Sequence, residues 1–159
     1  MKRIPACLFL VGLCSGCAEV PPCAVAPVDV ARHRGNAACF IEHRGRVLLV
    51  EHRFGGEVGL PGGRSRAEES ARCTAHREVW EETGLDVVVG ELLDRSTNTF
   101  VYQCSLAAVA DAHPSLPWWG RLEVTALRWV DAGDMRSLDW RYRGDRRQVQ
   151  KLMESTEGS

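Results

Sequence analysis

Residues 63–85 read GRSRAEESARCTAHREVWEETGL. Glycines stand near both ends, at Gly63 and Gly84, and between them lie Glu69, Arg77, Glu78, Glu81 and Glu82. On a helix turning about 100° per residue, Glu78 and Glu82 stack one turn apart and Glu81 lies beside them. Three like charges on one face weaken a helix unless something neutralises them. One reading is a solvated acidic face balanced by Arg72 and Arg77. The other is a divalent cation: carboxylate oxygens are hard ligands suited to Mg²⁺ or Mn²⁺, and Mg²⁺ shares its shell with water and substrate phosphates. The glycine loop upstream and the spaced Glu69 favour the cation.

Working outward, residues 66–83 hold no Gly or Pro and are rich in Ala, Glu and Arg, which predicts a helix. Gly84 sits where a helix C-terminal glycine belongs. Upstream, residues 36–42 and 46–52 are apolar-rich runs separated by His43, Arg44 and Gly45, a predicted β-hairpin. Residues 58–60 form a short strand that Pro61-Gly62-Gly63 stops. Downstream, residues 85–93, 99–109 and 124–130 read as strands, 111–120 as a Pro-containing loop, 131–138 as a helical turn and 143–154 as a final helix. Strands, helix, strands, helix imply an α/β domain with a mixed sheet between helices.

With these residues in place, the stretch closely resembles the Nudix box, G-x5-E-x7-R-E-U-x-E-E-x-G-U with U aliphatic, and every fixed position is met. Leu60-Pro61-Gly62-Gly63 resembles the family's entry loop, with Gly59 where a Trp is often found. Leu127-Arg128-Trp129-Val130 resembles the strand after its variable loop. The resemblance covers about residues 36–152 and is to a MutT-like hydrolase. It implies the Nudix fold, an α/β/α sandwich with a mixed β-sheet and the box as loop-helix-loop. It implies Glu78 and Glu82 as principal metal ligands, Glu81 as an auxiliary one, the Gly62 carbonyl beside them, and Arg77 orienting the glutamates. Gly63, Glu69 and Gly84 take structural roles in the box. The implied reaction is hydrolysis of a nucleoside diphosphate linked to another moiety, with Mg²⁺ (or Mn²⁺) neutralising the phosphates and a carboxylate taking the water proton. That base is a box glutamate or an acid on a later loop. Glu123, ahead of the 124–130 strand, is the later candidate, as catalytic residue or ligand, set against an exposed strand-edge acid. The other class of protein in view is a catalytically weak Nudix-fold module that binds nucleotide. Such modules typically lose box glutamates, and this chain keeps all of them.

Other residues carry weaker signals. The Trp118-Trp119 pair either stacks a nucleobase or packs its loop onto the sheet; packing is favoured for Trp118, and Trp119 is retained as a substrate contact. Arg53 and Phe40 lie near the expected substrate face by analogy with the family. His76 stands where the family has an aliphatic residue and reads as a core-edge histidine with a satisfied hydrogen bond. His43, His52 and His113 are read the same way.

The rest of the chain bounds location and partners. Of 159 residues, 45% are hydrophobic and 26% charged, enough for one domain. A net charge of −1 argues against a nucleic-acid polymer as partner and leaves a small nucleotide-type substrate. Residues 1–17 have a basic start, an apolar run and Ser15-Gly16-Cys17, the layout of an export signal. They resemble a bacterial lipoprotein signal, with Cys14 where Leu is usual. This implies Cys17 as the lipidated residue, membrane contact through a lipid anchor, and a periplasmic location. If instead the start codon is misassigned, or the stretch is an unstructured tail that happens to be apolar, the protein is cytoplasmic. Residues 18–30, with Pro21, Pro22 and Pro27, read as a flexible tether, and residues 31–159 as the hydrolase domain. Cys23, Cys39, Cys73 and Cys104 lack C-x-x-C metal spacing. Each reads as a buried small hydrophobe, or one pair as oxidised after export.

Overall fold

The computed structural model describes residues 20–26, 33–96, 98–108 and 114–156. Among the described residues, eight strands and two helices follow in chain order: β1 (Asn36–Phe40), β2 (Glu42–His43), β3 (Arg46–His52), β4 (Val58–Gly59), β5 (Gly62–Gly63), α1 (Ala71–Thr83), β6 (Val87–Arg95), β7 (Thr99–Leu106), β8 (Val124–Val130) and α2 (Asp145–Thr156). Short 3-10 turns at Gly120–Leu122 and Asp134–Ser137 flank β8.

The strands form two four-stranded sheets. One runs β5-β1-β7-β6 and is mixed, because β1 and β7 pair in parallel. In the other, β3 pairs antiparallel with β8 on one edge and with β2 and β4 on the other. Alternation along the strands builds two cores. Ala37, Cys39, Leu48, Phe100 and Tyr102 face α1, where Ala71, Ala75 and Val79 meet them. The intervening Phe40, Val47, Leu49 and Val101 face α2, where they join Val149, Leu152 and Met153. Helices therefore cover both faces, as an α/β/α sandwich requires.

The structure departs from the sequence reading at several places. Gly62–Gly63 does not simply stop a strand; it is one, pairing with Ala37 and Ala38 of β1. Two glycines carry no strand propensity, but an added Cβ on Gly62 would lie 2.5 Å from the Ala37 carbonyl oxygen, so the close approach needs glycine. The helix begins at Ala71, later than residue 66. Ser70 caps it by accepting the Cys73 amide at 3.2 Å, and Glu68 takes a positive φ of 63° just before. The last helix likewise starts at Asp145 rather than 143.

The tether reading also changes. Residues 20–26 are extended, but they are fastened. Val25 bridges Val89 in parallel, Ala26 N donates to Val89 O at 2.9 Å, and Val89 N donates to Ala24 O at 3.0 Å. A disulfide joins Cys23 to Cys73 on α1, and a second joins Cys39 to Cys104 across β1 and β7. All four cysteines after Cys17 are thus paired. Cys17 and the signal-like segment lie outside the described residues.

Candidate active site

Helix α1 and its entry loop set the site. Gly84 ends the helix in the left-handed conformation (φ 69°) and donates to Trp80 O at 2.9 Å. Arg77 is only 6% exposed, so the acidic face is not a solvated one. Its guanidinium holds Glu69 through Nε to Oε1 and Nη2 to Oε2, both at 2.9 Å. Nη1 donates to Glu78 at 2.8 Å and Glu81 at 2.7 Å, and Nη2 also reaches the Arg64 carbonyl at 2.9 Å. One planar cation therefore fixes three carboxylates. Burial alone would raise the Glu69 carboxyl, but Arg77, the Arg66 amide and the Thr74 hydroxyl bring it down to about 2. Against the effect of burial, the same carboxylates hold Arg77 above its ordinary range.

Glu82 is in a different environment. It is 4% exposed, and its Oε2 accepts the Gly62 amide at 2.9 Å. Burial pushes its carboxyl up to about 8; repulsion from Glu78 and Glu123 adds to this, against the pull of the Gly62 amide and Arg141. Burial raises Glu78 as well, opposed by Arg77 and reinforced by Glu81 and Glu123. Gly63 permits this arrangement, because a Cβ there would fall 2.6 Å from the Glu78 carboxylate.

Glu123 closes the turn before β8. Its amide donates to Gly120 O at 3.1 Å, and its carbonyl accepts the Arg53 amide at 2.8 Å. Glu123, Glu81, Glu82 and Arg66 line a cavity of about 340 Å³. Two β8-side features thus converge on the α1 ridge: the Glu123 carboxylate and the turn that bears it. The Arg53 side chain donates from Nε and Nη2 to the Arg121 carbonyl, so it braces that turn. Phe40 is buried in the α2-side core. Trp119 sits 6.1 Å from Trp80, ring centroid to centroid, inclined by 32°. Trp118 is not packed down, as its sequence reading favoured; it is 68% exposed and meets Trp119 edge-on at 5.8 Å, because Trp119 takes the place against Trp80. His76 is buried and its Nε2 lies 3.1 Å from Asp86.

Sequence reasoning missed Arg66, Trp80, Leu122 and Val20 here. Arg66 pairs with Glu81 at 2.7 Å, and Trp80 lines the cavity. Trp80 occupies a free position of the box, but it lies two helical turns from Cys73 and so shares its stripe, a signal visible in the spacing.

The NUDIX domain family model matches residues 31–152. The chain belongs to the Nudix family. It is 31% identical to a MutT-like protein of Streptomyces ambofaciens over 100 residues, 59% of this chain and 60% of that relative, so it spans about six tenths of the relative's length. An ADP-ribose pyrophosphatase of Streptococcus suis has a similar structure (TM-score 0.61, 21% identity, 78% of this chain and 91% of that one). So does a UDP-X diphosphatase (TM-score 0.60, 16% identity, 82% and 68%).

Proposed function

We propose that this protein is a divalent-metal-dependent diphosphohydrolase acting on a nucleoside diphosphate linked to a further group. The observation that carries the reading is the contrast within the ridge. Glu69, Glu78 and Glu81 share the Arg77 cation, whereas Glu82 is buried among like charges. Among the described residues no cation hydrogen-bonds to Glu82, and no three acidic, histidine or cysteine side chains enclose an ion as they stand. A buried carboxylate flanked by others fits a hard divalent cation, which removes the repulsion that raises it. Glu78, Glu82 and Glu81, with the Gly62 carbonyl, would hold Mg²⁺ or Mn²⁺, which leaves Glu123 outside the ligand set and free to act as a base. Bound metal would neutralise the phosphates and lower the proton affinity of a water.

The chain's own residues supply the rest. Arg77 orients the ridge. Glu123, on a turn braced by Arg53, faces the ridge across the cavity and takes the water proton. The named substrates of the similar structures, ADP-ribose and UDP-linked compounds, set the first panel. Purified protein with Mg²⁺ or Mn²⁺ is expected to release nucleoside monophosphate from at least one of them. Glu123→Gln is expected to lower kcat strongly with little change in KM. No hydrolysis across nucleoside triphosphates, dinucleotides and nucleotide sugars with either metal would leave the nucleotide-binding module instead.

We also propose an exported, lipid-anchored location, with Cys17 acylated. Two disulfides are expected where thiols oxidise, outside the cytosol. Mass spectrometry of the native protein is expected to find an acylated chain beginning at Cys17. An intact Met1 in a soluble cytosolic pool would overturn this.

A further inference from the structure

The cavity beside the glutamates has a second wall that the hydrolytic reading leaves unused. It is formed by Trp80, Trp118, Trp119 and Leu122, and by Val20 from the N-terminal segment. Trp118 and Leu122 are 68% and 76% exposed, so this wall opens to solvent. Trp80 Nε1 is buried and donates to nothing among the described residues.

The placement of Val20 follows from the Cys23–Cys73 bond. Seven residues of helix separate Cys73 from Trp80, about 10 Å along the axis. Three extended residues separate Cys23 from Val20, also about 10 Å. The segment therefore runs along α1 from Trp80 to Cys73, and then beside β6 through the Val25–Val89 bridge. The disulfide pins its middle and the bridge pins its end.

We propose that Val20, held in place by the disulfide-pinned segment 20–26, is part of the substrate site: a wall that, with the tryptophans, seats a flat heteroaromatic group carried on the diphosphate. The proposal rests on the diphosphohydrolase reading for the phosphate end only. Glu81, Glu82 and Glu123 line the same cavity, so a group seated on the rings has its phosphates at the ridge. Ring faces bind a planar base by stacking. Stacking on the exposed Trp118 ring favours a flat ring over a polyprenyl chain. A volume of about 340 Å³ suits one such group rather than a polymer.

The test is binding without turnover, read by tryptophan fluorescence with AMP, ribose 5-phosphate and farnesyl phosphate as probes. AMP is expected to bind at least about tenfold more tightly than ribose 5-phosphate, and Trp118→Ala to remove most of that margin. Val20→Asp, which keeps both disulfides, is expected to weaken AMP several-fold, as is the paired Cys23→Ala, Cys73→Ala variant. With a hydrolysed substrate, the loss is expected in KM rather than kcat. Equal binding of AMP and ribose 5-phosphate, or Val20→Asp with unaltered AMP affinity, would overturn the proposal. Preference for farnesyl phosphate would assign the wall to an apolar chain and overturn it too. AMP binding that depends on Val20 in a protein that hydrolyses nothing would sink the catalytic reading and keep this one. Hydrolysis indifferent to Val20 and Trp118 would do the reverse.

Discussion

Arg77 grips Glu69 through two parallel hydrogen bonds of 2.9 Å, eight residues apart in sequence and nearly out of contact with water. The acid holds the guanidinium plane, and the remaining nitrogen positions Glu78 and Glu81. Arg77 uses all five of its N–H donors here, whereas a lysine ammonium has three on a single nitrogen and no plane, so it cannot reproduce the network. Arg77→Lys is therefore expected to lower kcat by ~10²-fold or more. It is also expected to cost about 3 kcal/mol of stability, because a buried charge network is left partly unpaired. Activity assays and denaturant titration measure the two losses; a variant keeping wild-type turnover would show that Arg77 does not orient the ridge.

Glu82→Gln keeps the size of the side chain and removes its charge. Repulsion from Glu78 and Glu123 disappears with it. The metal-free variant is thus expected to melt no lower than wild type. Its kcat is expected to fall by ~10²-fold or more, and the rise in Tm on adding Mg²⁺ to shrink. Thermal melts with and without metal separate these effects, and an undiminished Mg²⁺-induced rise would remove Glu82 from the ligand set.

Gly63→Ala tests the close packing of loop and ridge. Its methyl group would meet the Glu78 carboxylate at 2.6 Å, and the carboxylate or the loop must move. Turnover is expected to drop about tenfold or more, since positioning errors of this size cost that much. Gly56→Ala is the contrast: φ is 74° and the space is open, so it is expected to cost about 1 kcal/mol of stability and no activity. Equal activity in both variants would contradict the role given to Gly63.

His52 links stability to pH. Its ring nitrogens lie 3.2 Å from Arg141 Nη1, which can only donate, so the ring is held neutral. Burial, then the charge of Arg141, lowers it from 6.5 to about 4. The unfolded chain takes the proton first as pH falls. The contribution of His52 is therefore complete above about 6.5 and is lost progressively down to about 4. At most ~1.4 kcal/mol per pH unit is expected across that window. His52→Gln is expected to lack this slope, and parallel stability curves for the two proteins would refute the linkage.

The box was legible because its chemistry needs residue types at fixed spacing, and β8 and Gly84 were legible from β-branched content and capping. Other parts were set by distant contacts. Glu69 read as a helical residue, yet its carboxylate bonds the Arg66 amide at 3.0 Å and Thr74 at 3.0 Å, which favours a turn and delays the helix to Ala71. Gly62–Gly63 has no strand pattern, and only β1 makes it a strand. Cys23 and Cys73 are 50 residues apart, and no spacing rule pairs them. The wall at Val20 was hidden for the same reason, since Pro21 and Pro22 suggest a free linker until the bridge to α1 is known.

The two disulfides close loops of 50 and 65 residues, and the loops interlace, sharing residues 39–73. On the chain-entropy account each bridge removes about 4 kcal/mol of freedom from the unfolded state. A newly made chain with reduced thiols lacks both constraints, and the segment leading into α1 is the part enclosed by both. Oxidation thus acts as a maturation step: the chain reaches its full resistance to unfolding only once both pairs of thiols have been oxidised.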